Sequence, residues 1–246
     1  MSSTPRPRSS FFRSPSLSTF TKSSIGRKLI VALTGLALVL FLAGHLSGNL
    51  LIFAGREAFN DYAQFLHGAL HGAGVWIARI GLLVIFVAHI WFTIMLTREN
   101  RAARDAYAYE DPINTTRSSR WMIWSGLTIL AFVIYHLLHF TVKAGSDYGS
   151  LVDAAYQLKT GEVRHDAWQM VIYGFSHFLN VVLYLVAMTC LCSHLHHGVA
   201  SIFQTLGLRT EKTEGAIGFL SKAYSLVIYL GFISIPIAIY FFGFGR

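Results

Sequence analysis

Five stretches of this sequence are too long and too apolar for a water-soluble fold: Leu29–Phe53, Val75–Leu96, Met122–Val142, Trp168–Cys192 and Tyr224–Phe242. About 20 apolar residues in a helix cross roughly 30 Å of hydrocarbon, and a helix satisfies its own backbone where no water can. The expected fold is an all-α membrane protein with five transmembrane helices. Composition agrees, since 13% of the residues are charged against about 25% in soluble domains.

The net charge of +8 is a topology signal rather than a nucleic-acid surface, because the basic residues lie almost entirely outside the apolar runs. Arg6, Arg8, Arg13, Lys22, Arg27 and Lys28 precede the first span. Arg98, Arg101, Arg104, Arg117 and Arg120 follow the second, and Arg209, Lys212 and Lys222 follow the fourth. The opposite side holds only Arg56, Lys143, Lys159, Arg164 and Arg246, with Arg79 inside span two near its end. Loops rich in Lys and Arg stay on the cytoplasmic side, so the N-terminus is expected to be cytoplasmic. Residues 1–28, rich in Ser, Thr, Pro and Arg, read as a disordered basic tail ahead of a single membrane domain over 29–246. The first apolar run is too long for a signal-peptide core and lacks an A-x-A-like cleavage site. Cys190 and Cys192 cannot form a disulfide framework, and no CxxCH motif for covalent haem attachment is present. Between spans, Phe59, Tyr62 and Leu66 recur at helical spacing and predict a short interfacial helix; a second short helix is expected from Leu151 to Leu158.

The eleven histidines sort by depth. At 1.5 Å per residue, His45 lies about 12 Å from the outer end of span one and His136 about 9 Å from the outer end of span three. By the same rise His89 lies about 10 Å from the inner end of span two, and His194 close to the inner end of span four. An intramembrane imidazole is costly to leave unpaired. A lone one often packs with its N–H on a carbonyl, but four on four helices at two depths suggest two ligand pairs. The economical cofactor is haem b with both axial positions taken by histidine, twice over. His139 and His177 lie at the outer level and compete with His136 for its role. His196 and His197, at the inner interface, could hold a haem propionate, a metal or nothing. His67, His71 and His165 fall in the outer connections and are expected to be solvated. Propionates need cationic partners: Arg27, Lys28, Arg98 and Arg120 are candidates at the inner face and Arg79 at the outer. Gly44, Gly48 and Gly198 would leave room for a broad, flat group beside His45 and His194.

Four motifs carry a resemblance: AGHLSGN around His45, VAHIWFTIMLTREN around His89, IYHLLHFT around His136 and HLHHGVASIFQTLG from His194. Over Ser24 to Phe242 the chain resembles the single-polypeptide, five-helix, di-haem cytochrome b subunit of succinate dehydrogenases and quinol:fumarate reductases. The resemblance implies a proximal haem held by His89 and His194 and a distal haem held by His45 and His136, in a bacterial inner membrane. It implies a partner flavoprotein subunit with FAD carrying the dicarboxylate site, and an iron–sulfur subunit docked on the basic face. Electrons would pass between the clusters, the two haems and a quinone, either menaquinone or ubiquinone. Glu57 and Asp61 are quinone-site candidates, since a quinone carbonyl needs a proton donor or acceptor in reach. Cys192 stands where some fumarate reductases of this type carry a glutamate linked to transmembrane proton movement, so that coupling is not carried over. Two other readings stay open: a di-haem cytochrome b of a hydrogenase or formate dehydrogenase, and a transporter using histidines as a proton relay.

Overall fold

The structure is a computed structural model that describes residues 17–104 and 117–245. The described chain is helical, and five of its helices are long and apolar enough to cross a membrane. They are α2 (Ser24–Leu50), α4 (Ala73–Arg104), α5 (Arg117–His136), α8 (Phe178–Thr205) and α9 (Glu214–Phe242). Four short helices accompany them: α1 (Leu17–Lys22), α3 (Arg56–Gly68), α6 (Ala154–Thr160) and α7 (Ala167–Gly174). The protein is therefore a multi-pass helical membrane protein by length and composition.

The helices run further into polar sequence than the hydrocarbon requires. α4 continues through TRENRAAR to Arg104, and α9 begins at Glu214, ten residues before the expected Tyr224. Helix propensity is high for Arg, Glu and Ala, so charge ends the apolar run without ending the helix. At the N-terminus, Ser23 caps α2 by accepting the Gly26 amide at 3.0 Å. Helix therefore already begins at Leu17, inside the stretch expected to be a disordered tail, while residues 1–16 lie outside the described residues. The amphipathic helix expected around Phe59 is α3, with Phe59 buried and Leu66 exposed. The short helix expected over Leu151–Leu158 is α6, displaced toward Thr160.

The fourth span differs from expectation. It starts at Phe178, not Trp168, because the chain breaks after Gly174 and His177 is extended. Polar side chains take over the freed carbonyls: Asn180 Nδ2 donates to the Gly174 carbonyl at 2.7 Å and Ser176 Oγ to the Ile172 carbonyl at 2.8 Å. Gly174 is glycine for space, since a Cβ there would come within 2.8 Å of the Phe140 ring.

α8 is the central element, packed on α9, α5 and α2, while α4 packs chiefly on α2. Two apolar clusters make the core. One, toward α3 and α7, joins Ile52, Phe59, Ile172, Phe175, Val181, Tyr184 and Ile239. The other, mid-bundle, joins Leu46, Ala187, Met188, Leu191, Leu195 and Ile228. Neither takes a residue from α4, and none of the residues in the most apolar stretch of α4 is buried. Trp76, Ile80, Leu83, Val87 and Trp91 all face outward, as lipid-facing side chains do.

The bundle end that carries α3, α6 and α7, the cap end hereafter, is closed by a buried polar network. Asn60, 1% exposed, donates to Asp153 Oδ2 at 2.9 Å and Asp166 Oδ1 at 3.0 Å, and accepts the Trp168 amide at 2.9 Å. Arg164 grips Asp153 through Nε at 3.0 Å and Nη2 at 2.9 Å, also pairs with Asp61, and lies 3.9 Å above the Tyr156 ring. Arg56 pairs with Asp166 at 3.0 Å. Every buried charge has an opposite partner, which the low dielectric demands.

Candidate functional site

At the cap-end level, the His45 and His136 rings lie 5.9 Å apart, edge to face. Two nitrogen–metal bonds of about 2 Å with the ring radii span a similar distance, so the pair is spaced rather than stacked. Phe41 stacks on His45 at 5.3 Å and Phe232 closes its other side at 5.8 Å. Asn49 Nδ2 donates to the His45 carbonyl at 2.7 Å and lies 3.3 and 3.4 Å from the two ring nitrogens.

The helix changes character directly after His136. Residues Leu137–Val142 form a π turn, a feature frequent at functional sites. It puts His136 and His139 on one partner: both Nδ1 atoms lie 3.1 Å from the Tyr184 hydroxyl. Of the three histidines that could face His45, only His136 makes ring contact with it among the described residues. His139 has both ring nitrogens engaged, Nε2 receiving Asn180 Nδ2 at 3.4 Å. His177 is exposed, at the start of α8, within electrostatic range of His139.

At the other level stand His89 on α4 and His194 on α8. His89 Nδ1 is 3.1 Å from Thr34 Oγ1, and His194 Nδ1 is 3.1 Å from Ser125 Oγ. α4 packs chiefly on α2 and α5 on α8, with little contact between α4 and α5 among the described residues. Beyond His194, the His196 and His197 rings lie 5.1 Å apart, and His196 Nδ1 is buried with no partner among the described residues.

The expected cations fare differently. Arg27 is nearly enclosed and already committed, to the Thr21 carbonyl at 3.0 Å and to Glu99. Lys28 and Arg98 are exposed, Arg79 lies over the Trp76 ring at 5.1 Å, and the Arg120 side chain is outside the described residues. Glu57 pairs with Lys159 at 3.4 Å and Asp61 with Arg164, both carboxylates at the surface. Gly44 and Gly198 adjoin open space, but Gly48 does not: a Cβ there would meet the Tyr62 ring within 2.5 Å, so its job is to seat α3.

A cavity of about 360 Å³ opens at the cap end, lined by Asp147, Tyr148, Ser176, His177 and Tyr173 among others. The Tyr148 ring lies 5.9 Å from that of His139, which links the cavity to His136 through Tyr184. Nearby His165 is not solvated as expected but half-buried. It donates from Nδ1 to the Leu151 carbonyl at 2.9 Å, and Lys143 Nζ sits 3.1 Å from Nε2. Burial and the Lys143 charge hold its pKa below the ordinary value. Burial also opposes ionisation of Asp153, but the hydrogen bonds from Asn60, the Tyr156 amide and Arg164 outweigh it and lower its pKa. Arg164 is held charged by Asp61 and Asp153 against the opposing effect of burial.

Among the described residues no group of three or more His, Cys, Asp or Glu could hold a bare metal ion. What the site offers is intramembrane imidazoles with His45 and His136 in contact, a donor set that fits a metal whose remaining ligands arrive with a planar cofactor. Depth in the sequence singled out those four histidines as candidates. It missed Thr34, Ser125, Tyr184 and Asn180, although hydroxyl–glycine dipeptides inside apolar runs, Thr34-Gly35 and Ser125-Gly126, are a legible signal. Comparison with protein-family models, with curated proteins and with solved structures found no match.

Proposed function

We propose that this chain is the di-haem cytochrome b membrane anchor of a succinate:quinone oxidoreductase, carrying electrons between an iron–sulfur partner subunit and a membrane quinone. The observation that carries the reading is the ring contact of His45 with His136 across two helices, with His89 and His194, each on a further helix, read as the second pair. A bis-imidazole haem b supplies one-electron transfer without an open coordination position. His45 and His136 would hold one and His89 and His194 the other. Phe41, Phe232 and Phe132 wall the first pair from water, and apolar surroundings of this kind set a haem potential.

The quinone reading rests on the cap-end cavity. Tyr148, Ser176 and His177 offer hydrogen-bonding groups to a carbonyl there, and hydrogen-bond reach is the first requirement of a proton donor. Glu57 and Asp61 are occupied in ion pairs, which makes the cavity the stronger candidate. The flavoprotein and iron–sulfur partners belong to the same proposal, with the face bearing Lys28 and Arg98 as the docking side.

The deciding experiment is a dithionite-reduced minus oxidised spectrum of the purified protein, with haem quantified against chain. Two haems b per chain are expected. His45→Ala or His136→Ala should remove one of them, and His89→Ala or His194→Ala the other. No haem in a folded preparation would sink the reading. Tyr148→Phe should then slow quinone turnover at unchanged haem content, and unchanged turnover would remove the cavity from it. Co-purification with a flavoprotein, rather than with a hydrogenase or formate dehydrogenase subunit, assigns the partner.

A further inference from the structure

The two levels differ in how their histidines are held. On the level of His89 and His194, each Nδ1 meets a hydroxyl from a third and a fourth helix, Thr34 on α2 and Ser125 on α5, both at 3.1 Å. A hydroxyl can give or take a hydrogen bond, so the direction depends on where its own proton goes. Thr34 Oγ1 donates to the Ile30 carbonyl at 2.7 Å, and Ser125 Oγ donates to the Met122 carbonyl at 3.1 Å. With its proton on its own helix carbonyl each oxygen accepts from the ring, which puts the imidazole proton on Nδ1; for Thr34 that carbonyl is the nearer partner, and for Ser125 carbonyl and ring lie at the same 3.1 Å. Nε2 then keeps the lone pair.

Each hydroxyl residue is followed by a glycine that faces the ring, tightly at Gly35 and at ordinary van der Waals distance at Gly126. A Cβ on Gly35 would come 3.3 Å from Cε1 of His89, and one on Gly126 would come 3.6 Å from Cε1 of His194. The same two-residue device thus occurs twice, on different helices. The cap-end level is held differently: one Tyr184 hydroxyl serves two histidines, and His45 has the Asn49 amide, not a hydroxyl, beside its ring.

We infer that Thr34 and Ser125 are positioning residues that hold His89 and His194 in the tautomer presenting Nε2 to iron. The inference rests on the haem-anchor reading for the identity of the group bound, though not for the tautomer itself. A partner that accepts the distal N–H fixes ring orientation and raises ligand basicity. Such hydrogen bonding favours the ferric state, so removing it raises the potential.

Two measurements test this. In the full chain prepared without haem, nitrogen-15 NMR of labelled histidines reads the tautomer directly, with His89→Gln and His194→Gln supplying the assignments. Nδ1–H is expected at both positions, and Nε2–H at either overturns the inference whether or not the protein ever binds haem. In the haem-loaded protein, Ser125→Ala should raise the potential of one haem component and leave the other in place, while Ser125→Thr should stay at the parent value. Thr34→Val and Thr34→Ser should repeat that contrast, the first raising the potential of the same component and the second leaving it at the parent value. Loss of one haem in the hydroxyl-lacking variants alone is equally in favour. Equal behaviour of the hydroxyl-keeping and hydroxyl-lacking variants overturns the inference. A protein that binds no haem in any variant refutes the anchor reading, and the NMR result then decides the tautomer by itself.

Discussion

Tyr184 is the side chain on which the cap-end level turns, because one hydroxyl serves both His136 and His139. Tyr184→Phe keeps the ring contacts with Phe132 and Phe175 and removes only the oxygen. Loss of such an outer partner costs a metal site about 10–100-fold in affinity. Haem titration of the variant should show that loss in one component and none in the other; two unchanged affinities would make Tyr184 a packing residue only. At this scale the sequence was half legible. The four histidines stand out because a polar ring in an apolar run has few bland explanations. Tyr184 did not, since a tyrosine in a span reads as an aromatic until a partner for its hydroxyl is known. The sequence favours His136 over His139 by resemblance alone, while its ring contact with His45 and the π turn that follows it leave no mark in IYHLLHFT.

Among the elements, α3, α6 and α7 owe their arrangement to charges rather than to apolar area. Arg164 and Asp153 are 6% and 2% exposed, and removing one partner of a buried pair costs about 3–5 kcal/mol. Arg164→Met should lower the melting temperature markedly, with Asp153→Asn in the same chain recovering part of the loss; full additivity would deny the coupling. The pH dependence follows from the same residues. His165 has a lowered pKa in the fold, so its contribution is present above about pH 6.5 and fades as pH falls below it. Asp153 is also lowered, so its stabilisation is present above its unfolded pKa of about 3.9 and is lost at still lower pH. Melting curves from pH 8 to pH 3 should fall in two stages, with His165→Gln removing the first and Asp153→Asn the second. Periodicity announced α3 and α6, but the break before Phe178 was hidden, because apolar residues continue through YGFSHF while Ser176 and Asn180 recapture the carbonyls.

For the molecule as a whole, hydropathy alone was enough to identify five membrane helices, since nothing else buries such runs. Which helix lies where was not legible, because every span has apolar residues to spare and lipid accepts any of them. The structure makes α8 the axis and leaves α4 at the edge, touching mainly α2. That position has a consequence for assembly. α4 contributes no side chain to either core cluster, yet it carries His89, whose proposed counterpart His194 is on the axis. A group bound by both would act as a staple, fastening a helix outside both core clusters to the axis of the bundle. Maturation and cofactor loading would then be one event: the newly inserted chain holds α4 loosely until the staple closes, and an unloaded chain presents that helix to membrane quality control. Hydrogen exchange in lipid nanodiscs would register this as slower exchange along α4 after haem addition, against little change in α9; equal protection of both helices would mean that α4 is already fixed without it.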